Sequence, residues 1–201
     1  MSAVEKLFDT PHGPARVHFH PVADPRGLLM LGHGAGGGVA APDLLVARDA
    51  GNASGLSVVL VEQPYRVAGR RSPAPAAHLD AAWIAVAEQL GEQALVTGGR
   101  SSGARVACRT AAVTGAVAVL CLAFPLQPPA RSSGKQAPSR LPELQAVKVP
   151  LLIVQGDHDP FGMPPRGRSR KVVKVSADHS LKRDRAAIAS AVRRWLDGLP
   201  L

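Results

Sequence analysis

The segment Gly99-Arg-Ser-Ser-Gly103 has the G-x-S-x-G spacing of a nucleophile elbow and lies between an apolar run and a helical pattern. A serine on so sharp a turn needs small residues two positions before and two after it. Ser101 has glycine at both, whereas Ser102 would have Arg100 and Ala104, so Ser101 is the nucleophile candidate. A hydroxyl attacks only when a base takes its proton, and the base needs an acid to fix its tautomer. On a parallel sheet these groups follow in the order Ser, acid, His, each after a strand. Gly156-Asp-His-Asp159 follows one apolar run and Ala177-Asp-His-Ser180 the next, so order and placement fit. His179 is the base. Asp159, three residues beyond Gly156, is the preferred acid because the turn can carry it over the sheet edge, with Asp157 as the alternative. His158 breaks the order and reads as an exposed loop histidine, and Asp178 as a solvated or turn-capping residue.

Acyl transfer also needs backbone N–H donors for the oxyanion. Ser102, opening the helix after the nucleophile, supplies one. The turn His33-Gly-Ala-Gly-Gly37 supplies the other, through Ala35 or alternatively Gly34 or Gly36, and its glycines let backbone approach a substrate. His33 reads as a brace for that turn. Two rival readings of the glycines are weaker. Gly98 to Gly103 has phosphate-loop spacing, but Ala104-Arg105 stand where lysine and a hydroxyl are required. Gly32, Gly34 and Gly37 match G-x-G-x-x-G, with Glu62 as ribose acid, and make a dinucleotide-binding protein an alternative. Against it, Glu62 lies 25 residues beyond Gly37, and two extended segments precede a motif that normally opens its domain.

These groups need elements to hold them. Apolar runs at 28–31, 56–61, 94–97, 116–122, 151–154 and 172–175 read as buried strands. Weaker extended segments at 4–8 and 15–20 read as an antiparallel hairpin around the Pro11–Gly13 turn. Helical stripes appear at Leu79, Trp83, Val86, Leu90 and at Ile188, Val192, Trp195, Leu199, with both tryptophans as core. Further helices are predicted over 102–113 and from Pro42 to about Ala50, ended by the Gly51–Gly55 stretch. Strands alternating with helices predict a three-layer α/β/α sandwich with a mostly parallel sheet, a single domain over residues 1–201. The polar stretch 127–140 reads as a loop.

At 201 residues, 46% apolar and 19% charged, the chain can bury a core without a staple. Cys108 and Cys121 lie in apolar runs and read as reduced core residues, which excludes a disulfide scaffold and a Cys-rich metal module. No cofactor and no metal are expected. The N-terminal residues show no signal-peptide h-region and no apolar stretch is long enough for a bilayer, so a cytoplasmic protein without a membrane role is expected. The formal charge of +9 raises nucleic acid as a partner, but aromatic residues are only 3% and the cations are scattered. The densest cluster, Arg166, Arg168, Arg170, Lys171 and Lys174, reads as a solvated basic face. A small-molecule acyl ester is the expected partner.

The chain resembles the α/β-hydrolases through Gly32-His-Gly-Ala-Gly-Gly37, Glu62-Gln-Pro-Tyr-Arg66, Gly98-Gly-Arg-Ser-Ser-Gly-Ala-Arg-Val106, Gln155-Gly-Asp-His-Asp-Pro-Phe-Gly162 and Ala177-Asp-His-Ser-Leu-Lys182. Within them it is similar to the dienelactone-hydrolase-like branch and to its small lidless group related to the hydrolase-like subunit of the NSL histone acetyltransferase complex. The resemblance implies ester or thioester hydrolysis through an acyl-serine without a cofactor. Dienelactone hydrolases proper use cysteine where this chain has Ser101, so their lactone substrate is not implied. The kinship to a complex subunit keeps open an interaction protein that retains the fold without catalysis. Tyr65 and Arg66 stand where they line a pocket or pack a loop. The 127–140 loop lies where larger relatives insert a lid, and its short polar character implies an open pocket.

Overall fold

The computed structural model describes residues 4–129 and 136–201. Among the described residues eight strands form one sheet in the order β1-β2-β4-β3-β5-β6-β7-β8. They are β1 Val4–Phe8, β2 Ala15–His20, β3 Leu28–Gly32, β4 Ser57–Glu62, β5 Leu95–Arg100, β6 Ala118–Leu122, β7 Leu151–Gly156 and β8 Arg170–Val175. The hairpin β1–β2 joins β4 antiparallel, and the other pairings are parallel. The predicted sandwich is therefore the observed fold.

Side chains alternate across the pleat and separate two cores. Met30, Val59, Val119 and Ile153 face one layer, which holds α3 (Ala76–Gln89), α4 (Ser102–Thr110) and α5 (Leu141–Ala146). Leu29, Leu31, Val58, Leu120 and Val154 face the other, formed by α1 (Pro42–Ala53) and α6 (Arg185–Asp197). Trp83 is fully buried in the first core and Trp195 nearly so in the second, as their stripes require. Strands covered on both faces read as continuous apolar runs, which is why β3, β6 and β7 are legible without alternation.

Helix α1 begins at Pro42 as expected but continues to Ala53, through the glycine taken as its end. A Cβ on Gly51 would sit 2.8 Å from Leu29 Cδ2 and 2.9 Å from Val58 Cγ2. The glycine lets the helix approach the sheet rather than stopping it. Helix α4 ends at Thr110, earlier than the pattern indicates, and the short helices α2 (Pro64–Val67) and α5 lie in segments with no readable periodicity. Residues 130–135 of the 127–140 loop lie outside the described residues. Its flanks are tied together by the Arg140 N–H to the Leu126 carbonyl at 2.8 Å and Gln127 Nε2 to the Ala137 carbonyl at 2.7 Å. Among the described residues no helix is long and apolar enough to cross a membrane.

Candidate active site

Strand β5 runs into the elbow and α4 leaves it. Between them Ser101 adopts φ 51° and ψ −107°, a conformation that costs on the order of 1–3 kcal/mol and persists only where its surroundings enforce it. Its N–H is held by the Leu122 carbonyl at the end of β6, 2.9 Å away. The flanking glycines explain how the turn fits. A Cβ on Gly103 would overlap the Gly32 carbonyl and lie 2.9 Å from the His33 oxygen; one on Gly99 would lie 2.8 Å from the Gly103 carbonyl carbon. All of these are backbone atoms, which cannot rotate away. Gly103→Ala should therefore lower stability by about 3 kcal/mol or more, as overpacking against fixed atoms does. Chemical denaturation of the variant measures it; a loss below about 1 kcal/mol would mean that the elbow has room to move.

The turns after β5, β7 and β8 bring the three predicted side chains together at one rim of the sheet. His179 Nε2 lies 3.0 Å from Ser101 Oγ, and His179 Nδ1 lies 2.8 Å from Asp159 Oδ2. An ionised carboxylate only accepts, so Nδ1–H donates to Asp159 and Nε2 is left to accept the serine proton. The Asp159 side chain is wholly buried, and the His179 ring is 21% exposed. The carboxylate is held from both sides: Gln155 Nε2 donates to Oδ2 at 2.8 Å and the Phe161 N–H to Oδ1 at 2.9 Å. The Phe161 ring lies 4.5 Å, centroid to centroid, from the His179 ring.

Asp157, two residues earlier, turns its carboxylate to the Ala177 N–H at 3.1 Å, away from His179. His158 is exposed, with Nε2 3.8 Å from Asp157 Oδ1. Asp178 caps its own turn, accepting from the Ser180 hydroxyl at 2.5 Å and the Ser180 N–H at 2.9 Å, and those bonds hold its carboxyl below the usual range. Glu62, the ribose acid of the dinucleotide alternative, is paired with Arg16 at 3.0 Å. Four residues separate Gly37 from Pro42 at the start of α1, so no helix N-terminus opens on that turn.

The turn after β3 is braced as a unit. His33 Nε2 accepts the Gln63 N–H at 3.1 Å, which places the ring proton on Nδ1, donated to the Gly34 carbonyl at 2.8 Å. Burial lowers its pKa and keeps the ring neutral in this role. Tyr65 Oη donates to the Ala35 carbonyl at 2.8 Å. Among the described residues neither the Ala35 N–H nor the Ser102 N–H has an intramolecular acceptor. Both residues line the cleft that holds Ser101. Arg66 donates to the Arg70 carbonyl at 3.4 Å and packs its own loop.

Arg100, inside the elbow motif, ties these loops to one another. Its Nη2 donates to the His179 carbonyl at 3.0 Å, and its Nε lies 3.0 Å from Asp43 Oδ2 at the start of α1. Asp43 is completely buried. Desolvation outweighs the Arg100 charge and pushes its carboxyl up to about 6. The folded protein thus holds this proton more tightly than the unfolded chain, whose value is near 3.8. Its contribution to stability falls as pH rises from about 4 to 6, by on the order of 3 kcal/mol in total. In Asp43→Asn the melting temperature relative to wild type should therefore rise between pH 4 and pH 7, by about 6–12 °C. A constant difference across that range would contradict the assignment.

A cleft of about 300 Å³ opens over Ser101, lined among others by Ala35, Leu79, Pro125 and Phe161 and by Arg105, Arg109 and Arg140. Gln155, Arg100 and these arginines were not singled out by sequence reasoning. The one available signal was a glutamine ending an otherwise apolar strand. Cys108 and Cys121 are buried and free, their sulfurs 3.5 Å apart. Among the described residues no cluster of three or more His, Cys, Asp or Glu side chains is placed to hold a metal.

A family model described as an alpha/beta hydrolase domain matches residues 25–193. No curated protein matches the chain. Among solved structures it is similar to XC6422 from Xanthomonas campestris, described as an a/b serine hydrolase without lid. That match has 21% identity and a TM-score of 0.74, and covers 100% of this chain and 98% of that one. Est1E from Butyrivibrio proteoclasticus aligns at 14% identity and a TM-score of 0.77, with coverages of 96% and 97%. A dienelactone hydrolase from Anabaena variabilis aligns at 15% identity and a TM-score of 0.71, with 97% of each chain covered.

Proposed function

Because the chain belongs to the alpha/beta hydrolase domain family, we propose that it is a serine hydrolase cleaving an ester or thioester bond through an acyl-serine on Ser101. The observation that carries this reading is the unbroken chain of contacts Ser101 Oγ, His179 and Asp159, at 3.0 and 2.8 Å, at the floor of an open cleft. Ser101 Oγ bonds to the acyl carbon as His179 Nε2 takes its proton. Asp159 stabilises the imidazolium. The oxyanion accepts from the N–H groups of Ala35 and Ser102, each such donor being worth about 3–4 kcal/mol in the transition state. Collapse breaks the bond to the leaving oxygen or sulfur, which receives the proton from His179. Water then attacks the acyl-serine, His179 now removing a proton from water and returning it to Ser101.

In this reading the enzyme needs no cofactor, works in the cytoplasm and takes a small acyl ester, with neither nucleic acid nor membrane as a partner. Its test is a fluorophosphonate probe. We expect one label per chain, with peptide mapping placing it on Ser101. Folded protein that takes no label would favour an interaction role for the fold instead.

A further inference from the structure

The cleft over Ser101 is lined by three cations. Arg105 and Arg109 stand one turn apart on α4, and Arg140 precedes α5. Two of the three are compensated. Arg105 forks onto Glu143 with Nε and Nη2 at 3.0 and 2.6 Å. Arg109 forks onto Asp80 at 2.8 and 2.6 Å and touches Glu143 at 3.4 Å. Neither carboxylate lines the cleft. Arg140 makes no ion pair among the described residues, and its Nη1 donates only to the Pro125 carbonyl at 3.0 Å. Three guanidinium groups against two carboxylates leave one positive charge in excess, half-buried beside the nucleophile. Burial, and then the Arg105 charge, pull the Arg140 pKa below its ordinary value, so this cation has no good partner where it stands. A half-buried guanidinium is stabilised most by a planar oxyanion that it can bind through two N–H groups.

We propose that the substrate carries an anionic oxyacid group, carboxylate or phosphate, which Arg140 binds in the field of Arg105 and Arg109 while the scissile carbonyl sits at Ser101. The inference rests on the serine hydrolase reading and narrows its substrate class. Arg140 acts as a specificity residue. Arg105 and Arg109, locked by their carboxylates, keep the local potential positive and the wall rigid.

Two matched substrate pairs test it. The first sets the para-nitrophenyl monoester of glutaric acid against para-nitrophenyl pentanoate, which places the anion on the acyl side. The second sets butyryl glycerol phosphate against butyryl glycerol, which places it on the leaving side. In one pair, wild-type kcat/KM should favour the anionic member by at least about tenfold, the effect of one charge-assisted hydrogen bond. The pair that responds identifies the source of the anion. In Arg140→Gln that ratio should collapse toward one, and Arg140→Lys should restore part of it. Two results would overturn the proposal and leave the hydrolase intact: neutral esters turned over as well as both anionic ones, or a preference unchanged in Arg140→Gln. No cleavage of any ester together with no fluorophosphonate label would sink both readings.

Discussion

Ser101→Ala should lower kcat on an activated ester by about 10⁵- to 10⁶-fold while the protein remains folded. In the proposed mechanism the oxygen lost is the atom that carries the acyl group, and His179 Nε2, 3.0 Å from it, would be left without a hydroxyl to deprotonate. The alanine keeps the Cβ, the N–H bond to the Leu122 carbonyl and the φ of 51°, so the elbow's strain is unchanged. Its melting temperature should stay within about 4 °C of wild type, the equivalent of about 1 kcal/mol for a chain of this size. Residual turnover above water is expected, because the oxyanion donors and the cleft persist. Steady-state kinetics and a melting curve on one preparation decide the matter. An alanine variant that keeps even a tenth of wild-type activity would place the chemistry elsewhere.

Asp159→Asn and Asp157→Asn should differ by about three orders of magnitude in activity, although the residues are two apart. An amide at position 159 faces Gln155 Nε2 and the His179 ring, both of which now donate to it. The least costly rearrangement lets the asparagine NH₂ donate to Nδ1, which moves the ring proton to Nε2. The base then points a proton at Ser101 instead of a lone pair, and kcat should fall by about 10³- to 10⁴-fold. At position 157 the carboxylate accepts a backbone N–H, and an asparagine oxygen can do the same. Activity there should stay within about threefold of wild type. Equal losses in the two variants would reverse the assignment of the acid.

The rim at which these groups meet was legible because its parts follow local rules. Ser101 is marked by glycines on both sides, and those glycines are required by backbone contacts with Gly32 and His33 that any residue with a Cβ would break. The role of His33 was also readable: a histidine inside a glycine turn holds that turn together, here through Gly34 and Gln63. Gly51 shows the limit. A glycine after a helical run signals either a stop or a close approach, and only the distances to Leu29 and Val58 tell which.

Local pattern alone marked the layer architecture, the strands, the glycine-flanked turn at Ser101 and the chain order of the serine, aspartate and histidine that meet at the rim. Each depends on the pattern within one segment: a short unbroken apolar run for a strand covered on both faces, a period of about four for helices, and small neighbours for a strained serine. Tertiary structure decided what depends on register and on where loops converge. It turned Asp159 rather than Asp157 toward the imidazole. It paired Arg100 with an aspartate 57 residues away, and it gathered Arg105, Arg109 and Arg140 around a shortage of carboxylates. Charges far apart in the chain interact only through the distance the fold sets between them, and the burial that sets their strength exists only once the layers have closed.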